Sequence, residues 1–365
     1  MCKQMRILFV DDDPEIRDEL VKLMDGEIIE DYTLKCQSAE GFEDGITKIR
    51  ENSYEIIVLD LCKGKPLSGG DQTGLEGLRD IQKIAFIPVI FYSGLAGDIR
   101  ELESDIVRIV SKTDGSDALK SEIEKLTKRR LPVLRDAIHQ HIDSELKSYF
   151  WDIIHKERKL FNSSENDYSL GYLLLRRIAD SLSKTKIKTI IGDSSVKQEL
   201  AHPMEVYIYP VTDGEFEVGE IVCTEDEYFV LLTPSCDYIE RFKKGQSRGR
   251  KAKKVLLVKA VLLKELDVYK EYESNPSETR KGKLLDIIQN KHSDQFFFLP
   301  KTPFIENCVI DFQEKKMVKY EELQKFKRIA KLDDPYAEAM TATFIRYYNR
   351  VGCPDIDVEY ILKTL

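Results

Sequence analysis

A chain of 365 residues with 42% hydrophobic side chains is too long for one ordinary domain and holds apolar material for two or three compact units. Its formal net charge of −9 is uneven: residues 1–126 carry 16 basic and 27 acidic side chains, net −11, whereas residues 127–365 carry 40 and 38, net +2. The acidic front counts against nucleic acid as its partner, the lack of an apolar run of about eighteen residues excludes a spanning helix, and seven Cys without Cys-x-x-Cys spacing argue against a disulfide framework. The start, Met1-Cys2-Lys3-Gln4-Met5, has no signal-peptide core, so cytoplasmic residence without a membrane anchor is expected.

In chain order, the first apolar run, Arg6-Ile7-Leu8-Phe9-Val10, ends in Asp11-Asp12-Asp13-Pro14. Amphipathic stretches at Pro14 to Met24 and Ala39 to Arg50 follow, and Pro14 suits a first helical turn. A second run, Ile56-Ile57-Val58-Leu59, ends at Asp60, and a later one, Ile109-Val110, ends at Ser111-Lys112. This βα alternation predicts a five-stranded parallel sheet with helices on both faces, its charged residues emerging where buried strands surface at one edge.

Three aspartates drawn together repel unless a cation joins them, and an all-oxygen ligand set suits a hard ion such as Mg²⁺. A carboxylate facing that ion can accept a phosphoryl group, whose charge the metal and a Lys neutralise. Asp60 is the candidate acceptor. The plainer alternative makes Asp11 to Asp13 a solvated helix cap and Asp60 a turn residue.

Over about residues 5 to 126 these segments resemble the receiver domain of two-component response regulators. Arg6 to Pro14 looks like its first strand and acidic pair, Tyr54 to Leu61 like its phosphoacceptor strand, and Ile87-Pro88-Val89-Ile90-Phe91-Tyr92-Ser93-Gly94 like its fourth strand with a switch hydroxyl. The resemblance implies a flavodoxin-like fold in which Asp11 and Asp12 hold Mg²⁺, directly or through water, and Asp60 takes the phosphoryl group. It further implies that the Cys62 carbonyl is a metal ligand, that Ser93 hydrogen-bonds the phosphoryl oxygen and that Lys112 pairs with the new charge. A histidine kinase is the implied phosphodonor, and Asp13 is expected to be a neighbour at the helix start.

Three departures bear on output. The segment Lys63 to Thr73, before Gly74-Leu75-Glu76, is about six residues longer than the family pattern. Ile109 stands where the aromatic switch residue is expected, and Thr113 where a proline is expected. A Ser–aromatic relay is therefore not the expected switch.

Lys128-Arg129-Arg130-Leu131-Pro132 marks a boundary, giving a receiver domain over 1–127, a helical connector over 128–200 and an α+β output domain over 201–365. Ile138, Ile142, Leu146, Tyr149, Ile153 and Leu160 form one helical stripe ending at Asn162-Ser163-Ser164, packed on its own domain or against a second copy in a homodimer. His139 and His141 lie two apart, on different helix faces, and are read as surface residues. A second helix is expected from Tyr168 to Leu182, followed by a polar connection from Ser183 to Pro203.

From Glu205 short strands are expected at Val206 to Tyr209, Phe216 to Val222, Tyr228 to Leu232, Val255 to Val258, Phe296 to Leu299 and Cys308 to Phe312, with turns at Asp213-Gly214 and Glu225-Asp226. They predict a small twisted sheet or partly closed barrel, flanked by helices around Tyr320 to Ala330 and Pro335 to Arg350. No output family is recognised in this half.

Two features there invite function. Lys243, Lys244, Arg248, Arg250, Lys251, Lys253 and Lys254 put seven cations in twelve residues, either a solvated hairpin loop or a grip on a nucleic-acid backbone. Thr233-Pro234-Ser235-Cys236-Asp237 sets a thiol beside a carboxylate, a nucleophile only if His202 or His292 lies close and otherwise a structural turn. Arg346, Arg350 and Asp355 read as structural ion pairs. The preferred function is a response regulator that is phosphorylated on Asp60 and switches its output domain. The alternative is a receiver-gated enzyme or nucleic-acid-binding effector, of the kind a phage-defence module would use.

Overall fold

Apolar strands buried on both faces need helices above and below them, and this requirement organises the N-terminal half. The computed structural model describes residues 3–61, 73–157, 169–182, 187, 190–191, 200–212, 214–225, 227–238, 240–243, 246–247, 249–291, 294–350 and 356–364. The chain divides into two units, Met1–Val196 and Lys197–Leu365.

In the first unit β1 (Lys3–Val10) is followed by α1 (Pro14–Met24), β2 (Ile28–Ile29), β3 (Tyr32–Ala39), α2 (Phe42–Glu51), β4 (Ile56–Leu59), α3 (Thr73–Ile84), β5 (Val89–Ser93), β6 (Val107–Ser111) and α4 (Gly115–Lys128). The sheet order is β2-β3-β1-β4-β5-β6. Five strands run parallel as expected, and the two-residue β2 adds an antiparallel edge against β3. Alternate side chains divide between two cores. Ile7, Phe9, Ile56, Val58 and Ile90 meet Leu20 of α1 and Leu119 and Ile123 of α4, whereas Leu8, Ile57, Leu59, Val89 and Phe91 meet Ile49 of α2 and Leu78 and Ile81 of α3.

Chain direction across the sheet reverses between β1 and β4, the switch point at which such folds open a crevice outside the carboxyl ends of their strands. Register carries this to the edge: Val10 lies opposite Leu59, Leu59 opposite Phe91, and Ser93 opposite Ser111.

Beyond α4, α5 (Leu131–Lys147) opens with Pro132 in its first turn and widens into a π-helical turn over Ser148–His155. It meets α6 (Leu170–Ser181) through His141 Nε2 with Ser181 Oγ, 2.9 Å, and Arg177 with Glu145, 3.3 Å. His139 is exposed, whereas His141 is half-buried. The apolar stripe is only partly covered: Ile138 and Ile153 stay exposed, with Phe150, Trp151, Tyr172 and Leu175 around them. Leu160, Asn162 to Ser164 and most of the polar connection lie outside the described residues.

The second unit holds β7 (Tyr207–Ile208), β8 (Glu220–Thr224), β9 (Glu227–Leu231), β10 (Phe242–Lys243), β11 (Gln246–Ser247), β12 (Lys254–Leu262), α7 (Asp267–Ser274), α8 (Glu278–Ile288), β13 (Phe296–Leu299), β14 (Cys308–Lys319), β15 (Lys327–Leu332), α9 (Tyr336–Tyr348) and α10 (Val358–Thr364). Seven strands form an antiparallel sheet in the order β13-β14-β12-β9-β8-β15-β7, and β10 pairs with β11 alone. The sheet curls until its two edges meet through side chains. Tyr207 Oη donates to the Pro300 carbonyl at 2.9 Å, and Phe304 stands edge-on to Tyr207 and stacked on Tyr209, with ring centres 4.1 Å apart in the stack. That is the partly closed barrel.

Inside it Val230, Val258, Ile310, Ala330 and Leu332 pack with Met340 and Tyr347 of α9, while on the opposite face of the sheet Val309, Phe296 and Phe298 pack with Leu284 and Ile287 of α8. Glu220 is buried and is held by Arg328 through two hydrogen bonds of 2.7 and 2.8 Å and by the Glu217 amide at 2.7 Å. That bidentate geometry satisfies a charge that would be costly to bury alone.

Two expectations fail here. The strand read from Phe216 begins only at Glu220, because Gly219 sits at φ +83°, with a hypothetical Cβ only 3.0 Å from Ala337 Cβ. The helix read over Tyr320 to Ala330 is one turn, Tyr320–Leu323, and then β15, which pairs with β8. Asp213, Asp226 and Asp355 lie outside the described residues; Thr224 lies opposite Glu227.

Gly77 of α3 meets α2 so closely that a Cβ there would enter the Phe42 ring. Gly77→Val should therefore destabilise the protein by about 1–3 kcal/mol, read as a lower urea midpoint.

Candidate functional site

The parallel register brings Asp11, one residue past β1, beside Asp60, one residue past β4, and Lys112, one residue past β6, reaches both. Lys112 Nζ lies 2.8 Å from Asp11 Oδ2 and 2.8 Å from Asp60 Oδ2. One carboxylate oxygen from each of Asp11, Asp12 and Asp60 lies within 4.8 Å of the others. Asp11 is buried and Asp60 half-buried, while Asp12 is the most open of the three, so the cluster faces solvent on one side. Beside it is a cleft of about 660 Å³ lined in part by Phe42, Arg50 and Asp80.

The local chain fixes these side chains. Asp13 caps α1, accepting the Glu15 amide at 2.9 Å and the Ile16 amide at 3.4 Å. The Asp13 amide in turn donates to Asp11 Oδ1 at 2.9 Å, orienting that carboxylate. The buried Arg17 guanidinium donates to the Asp11 carbonyl at 2.9 Å, a tie the sequence did not announce.

Burial pushes the Asp11 carboxyl above its ordinary range despite the Lys112 hydrogen bond that opposes it, and the neighbouring Asp60 charge adds to the rise. Burial also opposes the Lys112 charge, but the hydrogen bonds to Asp11 and Asp60 outweigh it and raise that group. The two shifts are compatible: one ammonium serves two carboxylates, so the pair as a whole remains short of positive charge. Tyr92, buried next to Ser93, feels Lys112 and Asp11 as well, although burial is the larger cause of its raised phenol.

Three carboxylates with a solvent-open side fit a hard divalent cation that keeps several waters. Asp11, Asp12 and Asp60 would hold it; Cys62 and the long segment from Lys63 to Gln72 lie outside the described residues. Ser93 is buried at the end of β5 and its Oγ accepts the Leu95 amide at 3.4 Å. Ile109, at the position expected for an aromatic switch, packs in the α2–α3 core, and Thr113 Oγ1 lies 2.7 Å from Ser111 Oγ.

The N-terminal unit is similar to response-regulator receiver domains over about a third of this chain. TrrA of Thermotoga maritima, solved in complex with Mg²⁺-BeF, is 28% identical, with 33% of this chain and 98% of that chain covered and a TM-score of 0.27. A Francisella receiver domain is 23% identical over 34% of this chain and 98% of its own, TM-score 0.27. A receiver protein of Methanospirillum hungatei JF-1 is 21% identical over 34% and 98%, TM-score 0.25. No family model and no curated protein matches.

In the second unit the candidates among the described residues do not assemble a catalytic pair. Cys236 is exposed with Asp237 Oδ1 3.9 Å from its Sγ, while His202 caps its own turn by accepting the Met204 amide; His292 lies outside the described residues. Lys251 pairs with Asp237 at 3.0 Å, and the Arg250 guanidinium lies 3.9 Å from the Tyr320 ring centre. Lys244 and Arg248 lie outside the described residues, as does the side chain of Lys243. Arg346 pairs with Asp294 at 3.0 Å, and Arg350 covers the Tyr347 ring.

Two measurements follow from this chemistry. Mg²⁺ at about 100 times its dissociation constant should stabilise the folded protein by about 2.7 kcal/mol, read as a raised melting midpoint, and Asp12→Asn should diminish that gain. Burial pushes the Cys36 and Cys308 thiols up to about 12, whereas Cys236 is exposed. Alkylation of the native protein at about pH 8 should therefore modify Cys236 and spare Cys36 and Cys308 in peptide mass mapping.

Proposed function

We propose that this protein is a response regulator of a two-component phosphorelay, with residues 1–127 as receiver, 128–200 as helical connector and 201–365 as output domain. The observation that carries the reading is the sharing of Lys112 between Asp11 and Asp60 at the carboxyl edge of the parallel sheet. An Asp60 carboxylate oxygen attacks phosphorus of a histidine kinase's phosphohistidine; the O–P bond forms, the N–P bond breaks, and the imidazole leaves. Mg²⁺, when bound, neutralises charge on the transferred group.

The remaining roles belong to the chain itself. Asp11 and Asp12 hold the ion, together with the Cys62 carbonyl. Lys112 turns from the carboxylate pair to the phosphoryl oxygens, and Ser93 Oγ donates to one of them. With isoleucine at position 109, the altered charge acts on output through another surface than a Ser–aromatic relay.

The protein resides in the cytoplasm on this reading. The exposed Phe150, Trp151, Tyr172 and Leu175 of the connector supply an apolar face for a second copy of the chain. The basic segment Lys243–Lys254 makes nucleic acid the alternative output partner beside a second copy of the chain.

Asp60→Asn should abolish labelling by radiolabelled acetyl phosphate in the presence of Mg²⁺, and Cys236→Ser should leave labelling unchanged. Labelling retained by the Asn variant would sink the assignment of the acceptor.

A further inference from the structure

The antiparallel ladder of β12 and β14 places Lys254 directly opposite Lys319. Facing residues in such a ladder have Cβ atoms about 4.5–5.5 Å apart on the same side of the sheet, and like charges there are unfavourable. The next rungs on that side are half-buried Leu256 opposite Met317 and Val258, buried in the α9 core, opposite Lys315, so beyond Lys254 the open part of this side belongs to β14. Met317 is 52% exposed between the cations, and Lys315 Nζ lies 3.9 Å from the centre of the Tyr348 ring. Lys253 extends the row into the preceding loop.

Asp237 holds Lys251 and Glu227 holds Lys259, while Glu314, Glu321 and Glu322 neighbour the lysines in the chain. Among the described residues, Lys253, Lys254, Lys315 and Lys319 have no carboxylate within 4.0 Å. The second unit as a whole carries 27 basic and 29 acidic side chains, so this is a local concentration on a nearly neutral body.

We propose that the β12–β14 face is a binding surface for single-stranded nucleic acid, with one backbone phosphate bridging Lys254 and Lys319 and the next phosphates meeting Lys253 and Lys315. A bridging anion relieves the repulsion that the register imposes. A single strand is favoured because the cations follow a line along the ladder and Met317 stands exposed between them to meet a base. A membrane surface would call for several apolar side chains to insert, and this face offers one between its lysines. The inference deepens the nucleic-acid reading of the output domain by moving its centre from the loop to the strand pair.

The test uses the unphosphorylated full-length chain, so its outcome is separate from that of Asp60 labelling. Fluorescence anisotropy with labelled oligo-uridine and oligo-deoxythymidine, from about 0.05 to about 0.2 M salt, gives affinity and salt slope. Lys254→Gln with Lys319→Gln should weaken binding about tenfold and flatten the log–log slope by about 0.7, for the one bridging phosphate left without its cations. Lys281→Gln with Lys283→Gln on α8 removes the same charge elsewhere and should leave affinity within about twofold. Lys319→Glu faces Lys254 with an opposite charge; it should keep or raise the melting midpoint and abolish binding, separating a defect in binding from a defect in folding. The proposal is overturned if neither oligonucleotide binds, if the α8 variant weakens binding as much as the ladder variant, or if phosphatidylserine vesicles bind through these lysines while the oligonucleotides do not. Preference for uridine over deoxythymidine would assign RNA, and the reverse DNA.

Discussion

One ammonium group between two carboxylates is the interaction on which the N-terminal unit's chemistry depends. Asp11 and Asp60 follow neighbouring parallel strands, so the topology that buries Leu8, Phe9, Ile57 and Val58 also forces two negative charges together at the edge. Two unit charges about 4 Å apart interact by about 4 kcal/mol at an effective dielectric of about 20. Lys112 opposes that repulsion, while burial, with the Asp60 charge as a lesser cause, keeps Asp11 harder to ionise than an ordinary aspartate. A site short of positive charge is one that a divalent cation completes.

The second unit solves a different problem. Its sheet is antiparallel, its longest strands are adjacent, and its two faces carry separate cores, one with α9 and one with α8. The buried Glu220–Arg328 pair ties β8 to β15 inside an otherwise apolar body. Such a pair is costly to break by removing one partner, since the other is left charged and unsatisfied. The unit's stability therefore rests on its own contacts.

The strands of the parallel sheet were legible because burial on both faces turns them into unbroken apolar runs, and the acids that end them mark the carboxyl edge. The ordered set of Asp11, Asp60, Ser93 and Lys112 predicted one pocket, and Asp11, Asp60 and Lys112 do meet. β15 was not legible: Lys327-Arg328-Ile329-Ala330-Lys331-Leu332 is rich in helix formers, and only pairing with β8 makes it a strand. α7 and α8 passed unread, although Ser277 caps α8 through the Arg280 amide. The Lys254–Lys319 rung joins residues far apart in the chain, and no local pattern announces such a register. Arg17 escaped notice for a related reason, because its bond to the Asp11 carbonyl depends on how α1 folds back over its own first turn.

The barrel's seam is built differently from its walls. Where β13 and β7 approach, a phenol bonded to the Pro300 carbonyl and a stack of rings stand in for a backbone ladder. Side-chain contacts cover part of both sheet rims, although Ile208 of β7 stays exposed. They also leave a gap that can part without unzipping any hydrogen-bonded rung. Amides beside the seam should accordingly exchange with solvent sooner than those of β12, and a body that opens along one line has a built-in hinge opposite it.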